Sequence, residues 1–150
     1  MKNFVFFEQI KAAEEEAYIA IYAVGELLSQ SSASRQSPRR RKFETSEIDR
    51  CRNNLEKTYV IRLFSEFEGA LRTFWRLGRR RGTKPIMEVL MDSISSYQSI
   101  PTDVVGRAHE IREYRNDLVH KNAPAVVFSL DEIRHHLCTF LSHLPHEFGT

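Results

Sequence analysis

Arg115, Asn116 and His120 stand close together in the stretch Arg112–Asn122, which reads REYRNDLVHKN. An imidazole with an unperturbed pKa near ~6.5 can take up a proton at neutral pH. A guanidinium stays charged and can grip a phosphate through two parallel hydrogen bonds. Together these groups could move a proton beside a phosphodiester and stabilise the charge that builds on phosphorus. No other local cluster carries so specific a chemistry. His135 and His136 are adjacent and point in different directions, so even with His143 and His146 nearby they make a poor metal pair. No metal and no cofactor is expected. The competing reading is structural: Arg115 pairs with Glu110, Glu113 or Asp117, and Asn116 and His120 cap the end of a helix.

The elements that position this cluster follow from apolar periodicity. Residues 4–29 place Phe7, Ile10, Ala13, Ala17, Ile21 and Val24 on one broad face, predicting a long first helix. Residues 45–78 predict the longest helix, opened by Thr45 or Ser46 and closed by Gly78. Its apolar C-terminal half, with Phe67, Phe74 and Trp75, marks it as the central, core-forming element. A third helix over 84–98 is expected to start from Thr83 with Pro85 in its first turn. A fourth over 103–120 would be capped by Thr102 or Asp103. A fifth would open at the capping box Ser129–Glu132 and run to about Leu144. At 150 residues, 41% of them hydrophobic, the chain is expected to be one domain. The fold class is all-α, an antiparallel bundle of four to five helices.

Charge is unevenly spread although the net charge is only +2. Arg35, Arg39, Arg40, Arg41 and Lys42 form one acid-free cluster, in a basic flexible loop at about 30–44. Arg76, Arg79, Arg80, Arg81 and Lys84 form a second. Such clusters suit a polyanion, and Arg39, Arg40, Arg41, Arg79, Arg80 and Arg81 are the candidate RNA contacts. The alternative is two solvated loops. Cys51 and Cys138 fall among apolar residues and read as buried thiols. Neither a signal peptide nor a membrane span is evident, so a cytoplasmic protein with no membrane partner is expected.

An all-α bundle whose penultimate helix ends in Arg115-Asn116-Asp117-Leu118-Val119-His120 resembles the HEPN superfamily, the higher eukaryote and prokaryote nucleotide-binding domain. That family's motif is Arg, often followed by Asn, then four to six residues from the Arg to His. The resemblance covers most of the chain as architecture. It implies metal-independent endoribonuclease activity and a prokaryotic toxin or defence effector, held in check by an antitoxin or other regulatory partner. It also implies the roles: His120 as the acid/base group at the ribose 2′-hydroxyl, Arg115 on the scissile phosphate, and Asn116 orienting one of them or donating to the phosphate. Attack by the 2′-hydroxyl would leave a 2′,3′-cyclic phosphate and spare DNA. Glu68, on the long helix, is a further residue that could approach the motif. The alternative is a non-catalytic HEPN-like module that binds nucleotide, RNA or protein.

Helical geometry adds a constraint. Five residues correspond to about 140° of rotation and roughly 7–8 Å of rise, so Arg115 and His120 do not share a helix face. Asn116 and His120 do, on a polar stripe with His109 and Arg112. One chain could aim both Arg115 and His120 at one phosphate only if the helix unwound near Leu118. Two copies facing each other could build the site without that, and HEPN nucleases resemble such an arrangement. A homodimer with the motif at its interface is therefore expected, with RNA as the substrate.

Overall fold

The apolar periodicities become five helices in a computed structural model that describes residues 1–30, 34–35 and 42–148. They are α1 (Phe4–Ser29), α2 (Thr45–Thr73), α3 (Met87–Gln98), α4 (Thr102–His120) and α5 (Leu130–Leu141). No strand forms among the described residues; an antiparallel bridge joins Lys2 to Glu147. The fold is an all-α bundle. No helix among the described residues is long and apolar enough to cross a membrane.

α2 is the hub, in contact with each of the other four helices. Its buried face carries Val60, Leu63, Phe64, Phe67, Ala70, Leu71 and, just beyond, Phe74. Phe67 meets Phe140 of α5 edge-on at 5.2 Å, and Phe74 meets Phe148 the same way at 5.2 Å. Phe148 in turn stacks on Phe6 of α1. Backbone pairing across the two ends of the described chain holds that aromatic in place: Met1 and Phe148 exchange hydrogen bonds of 2.8 and 3.0 Å. α1 runs antiparallel to α2, with Glu16 reaching Tyr59 and Arg62. α3 runs antiparallel to α4, with Asp92 beside His109 and Glu88 beside Arg112.

Several boundaries differ from expectation, two of them because a side chain expected to cap a helix serves a tertiary partner. Thr45 does not cap α2; the N-cap is Glu44, and Thr45 Oγ1 accepts from Arg35 Nη1 at 2.7 Å. Arg35 also donates to the carbonyls of Leu28 and Gln30 and is buried, so it clamps the end of α1 rather than offering a cation. Thr83 does not cap α3, which starts at Met87; its hydroxyl accepts from Trp75 Nε1 at 3.1 Å. Pro101, not Thr102 or Asp103, is the N-cap of α4. The capping box of α5 forms as expected, with bonds of 3.2 and 2.8 Å between Ser129 and Glu132. α5 ends at Leu141, before the expected Leu144, which is nevertheless buried. Cys51 is exposed, contrary to expectation, and Cys138 is half-buried, with burial pushing its thiol pKa up. Glu14, one of the glutamates that make the first helix acidic, is buried against Arg134 of α5 at 2.6 Å.

Gly78 has a different role from the expected left-handed cap. α2 leaves its α-helical register in a π-turn, Phe74–Gly78, and the left-handed residue is Arg80, at φ 51°. A Cβ on Gly78 would stand 2.7 Å from the Phe74 ring and 3.0 Å from Phe148 Cβ. Both neighbours are buried core, and neither can swing aside. Gly78→Ala should therefore lower the unfolding free energy by about 1–3 kcal/mol, the usual cost of overpacking, read as a lower denaturation midpoint with an unchanged denaturant slope. An unchanged midpoint would show that the close approach is not a constraint.

Candidate functional site

α4 reaches His120 without a break. Lys121 then turns left-handed, at φ 56°, and Asn122 N donates to Asp117 O at 2.8 Å. This six-to-one bond is the Schellman closure, so backbone geometry ends the helix and neither Asn116 nor His120 is its cap. The helix does not unwind near Leu118. Arg115 and His120 therefore keep the angular separation of an intact helix.

The three motif residues sit in different environments. Ala108, Ile111 and Tyr114 are the buried face of α4. Arg115 flanks that face, half-buried, with its guanidinium 5.6 Å from the Phe64 ring of α2. Its Nη1 donates to Asn116 Oδ1 at 2.9 Å. Its Nε is buried and has no acceptor among the described residues. His120 is exposed. The structure thus brings Arg115 and Asn116 together and leaves His120 apart.

The expected ion pairs of Arg115 do not form. Glu110 pairs with Arg107 at 2.8 Å, and Glu113 lies 3.9 Å from Arg112. Asp117 makes no ion pair among the described residues, and its carbonyl serves the helix closure. The polar stripe of α4 is also divided. Arg112 Nε donates to His109 Nδ1 at 3.4 Å, and His109 Nε2 lies 2.7 Å from Asp92. With Nδ1 accepting, the ring proton belongs on Nε2, facing the carboxylate. His109 and Arg112 therefore dock α3, and Asn116 and His120 are the stripe residues left over. Glu68 does not approach the motif; it pairs with Arg72 at 2.7 Å, and Arg72 also donates to Pro85 O.

Two cavities open along one flank of α2. The first, about 920 Å³, lies beside the end of α4 between Asn54, Thr58 and Ile61 on one side and Tyr114, Leu118 and Lys121 on the other. Burial and the Glu56 carboxylate push the Tyr114 phenol pKa up there. The second, about 690 Å³, lies at the far end of α2, lined by Trp75, Arg76, Arg81, Lys84 and Ile86 among others.

The candidate RNA contacts fare unequally. Arg79 stacks its guanidinium over the Tyr97 ring, so that side chain is engaged within the fold. Arg80 and Arg81 are exposed, and Arg81 lines the second cavity. Arg39, Arg40 and Arg41 lie outside the described residues. Arg76 and Lys84, with Trp75 between α2 and the loop, are cavity residues that sequence reasoning left out of the candidate contacts. Their signal was present: the acid-free run from Arg76 to Lys84 directly follows the chain's single Trp, Trp75. No group of three or more His, Cys, Asp and Glu residues is placed to hold a metal among the described residues.

The chain matches no family model, no curated protein and no solved structure.

His136 lies behind this site, its ring edge-on to Phe128, which itself packs on Tyr114. Burial first, then the neighbouring His135 and Arg107, lower its pKa below the ordinary 6.5. Folding therefore favours the neutral imidazole. Above pH 6.5 the group is neutral in both states and costs nothing. As pH falls below 6.5 the unfolded chain takes up the proton first, so stability is lost until the lowered native pKa is passed. His136→Gln should flatten the acid limb of stability just below pH 6.5, read as melting temperature against pH. Parallel curves for parent and variant would remove His136 from the acid response.

Proposed function

We propose that the chain is a metal-independent endoribonuclease of the HEPN type, cutting RNA with Arg115, Asn116 and His120. The observation that carries this reading is the state of Arg115. It is half-buried, free of every carboxylate near it in sequence, held by Asn116, and left with an unpaired Nε. A buried donor without a partner costs about 1–3 kcal/mol. A surface ion pair would not carry that cost; a guanidinium awaiting an anionic acceptor would.

In this reading Arg115 binds the scissile phosphate and Asn116 fixes the guanidinium plane. His120 removes the proton from the ribose 2′-hydroxyl. The oxygen attacks phosphorus, the bond to the 5′ oxygen breaks, and a 2′,3′-cyclic phosphate remains. The 5′ oxygen leaves as a hydroxyl and needs a proton of its own. A second copy of His120 can supply it, so the reading includes a homodimer whose two α4 ends face one cleft. Val119, Val126 and Val127, all exposed, lie close in sequence to His120 and give that meeting surface an apolar component. A toxin or defence role, under control of an antitoxin-like partner, follows from the same family reading.

A binding-only module is the second reading, and one observation favours it: no side chain among the described residues orients the His120 imidazole by a hydrogen bond. Cleavage assays in EDTA distinguish the two. The parent chain should cut single-stranded RNA to cyclic-phosphate ends and leave 2′-deoxy substrates intact. His120→Ala and Arg115→Ala should each lose at least about 100-fold in rate, the usual scale for an acid/base group or a charge stabiliser. Sedimentation should show a dimer. Cleavage that persists in both variants, or that requires a divalent cation, refutes the nuclease reading; a fully active monomer refutes the shared cleft.

A further inference from the structure

The segment from Arg79 to Ile86 contains three exposed cations and two glycine or proline residues, yet several specific contacts hold it in shape. Arg79 N donates to Phe74 O at 3.0 Å and Arg81 N to Trp75 O at 3.1 Å, folding the chain back over the π-turn. Trp75 Nε1 donates to Thr83 Oγ1, and Arg72 Nη1 donates to Pro85 O at 3.1 Å. Arg79 is anchored on Tyr97. The result is a preformed groove of about 690 Å³. Its floor is apolar, with Leu90 buried beneath and Ile86 and the Trp75 ring at its sides. Its rim carries Arg76, Arg81 and Lys84, none of which makes an ion pair among the described residues.

Three unpaired cations around an aromatic, apolar floor match one ligand chemistry: planar bases joined by phosphates. The placement fits too. Lys57, Ile61, Phe64, Glu68, Arg72 and Trp75 recur every three or four residues and lie on one flank of α2. Lys57 and Ile61 line the cavity beside the end of α4, Phe64 carries Arg115, and Arg72 and Trp75 line the groove. The groove and Arg115 therefore share a flank, with Phe64 and Trp75 about 16 Å apart along the helix axis.

We infer that this groove binds a segment of single-stranded RNA, with a base between Trp75 and Ile86 and phosphates on Arg76, Arg81 and Lys84. The choice of RNA over DNA rests on the ribonuclease reading; the groove's affinity for a single strand does not. A duplex cannot present an unstacked base to the floor, so the groove discriminates by strandedness.

Trp75 is the only tryptophan in the chain and reports on the groove directly. The probe is a 2′-O-methyl oligouridylate, which nucleophilic 2′-hydroxyl chemistry cannot cut. It should quench Trp75 fluorescence saturably, with a salt slope of about −2 for three phosphate contacts on a single strand. Arg76→Ala, Arg81→Ala and Lys84→Ala should each reduce the slope by about 0.7, and the triple variant should bind at least about tenfold more weakly. Lys11→Ala, on the opposite helix α1, should change neither. Absent quenching, quenching unchanged in the triple variant, or equal quenching by a duplex of the same sequence overturns the proposal. His120→Ala separates the two readings: it should bind the probe like the parent chain. Binding retained without RNA cleavage by the parent chain would remove the nuclease alone. Cleavage with a silent Trp75 would remove the groove alone.

Discussion

The structure depends on the burial of the aromatic column of α2. Phe64, Phe67 and Phe74 are at most 1% exposed, and every other helix packs on the element that carries them. Burying one such side chain contributes about 1.5–3 kcal/mol, far more than any surface ion pair here. The bundle can therefore leave polar groups unsatisfied elsewhere and still fold. It does so at Arg79 Nε and Arg115 Nε. Each belongs to a guanidinium lying over an aromatic ring, Tyr97 and Phe64 respectively. Stacking on the ring face recovers part of what the missing hydrogen bond loses.

The column also fixes where polar chemistry can appear. α2 buries one face along its length, so its flanks become the borders with α3 and α4. One flank passes in turn beside the α4 end, under Arg115 and into the basic groove. The ion pair of Glu68 with Arg72 stands between, and Arg72 ties that pair to the backbone of the following loop. A single interaction thereby couples the position of the groove wall to the middle of the hub helix.

The helices and the order of burial were legible in the sequence because apolar side chains at helical spacing have only one place to go. The limits of α1 were equally legible from its periodicity, and so was the capping box at Ser129, which depends on neighbours within one turn. Other features turned on partners distant in sequence. Thr45 and Thr83 look like caps by local pattern, but Arg35 and Trp75 take their hydroxyls. Glu14 looks solvated in a run of glutamates until Arg134 arrives from the last helix. Gly78 looks like a left-handed cap, whereas the constraint is the ring of Phe74 beside it. At the candidate site the triplet itself was readable, and so was the angular separation of Arg115 and His120. What the sequence could not show was that nearby carboxylates would be claimed by Arg107 and Arg112, leaving Arg115 unpaired.

That division of partners bears on what His120 can do. Ile111 is fully buried, and His120 follows nine residues later, a rotation of about 180° on a regular helix. The imidazole therefore faces directly away from the bundle, beyond the reach of the α2 side chains that hold Arg115. The structural residues on the same polar stripe, His109 and Arg112, lie about two to three turns back, where α3 covers them. α3 runs antiparallel to α4 and starts opposite Arg112, so it cannot cover the end of α4. In the nuclease reading, what positions His120 would then come from outside the fold: a substrate, or another copy of α4 related by a two-fold axis. A two-fold arrangement would also bring a second Arg115 to the same cleft, and two guanidiniums repel unless a polyanion lies between them. In that reading, substrate and dimer would each supply what the other lacks.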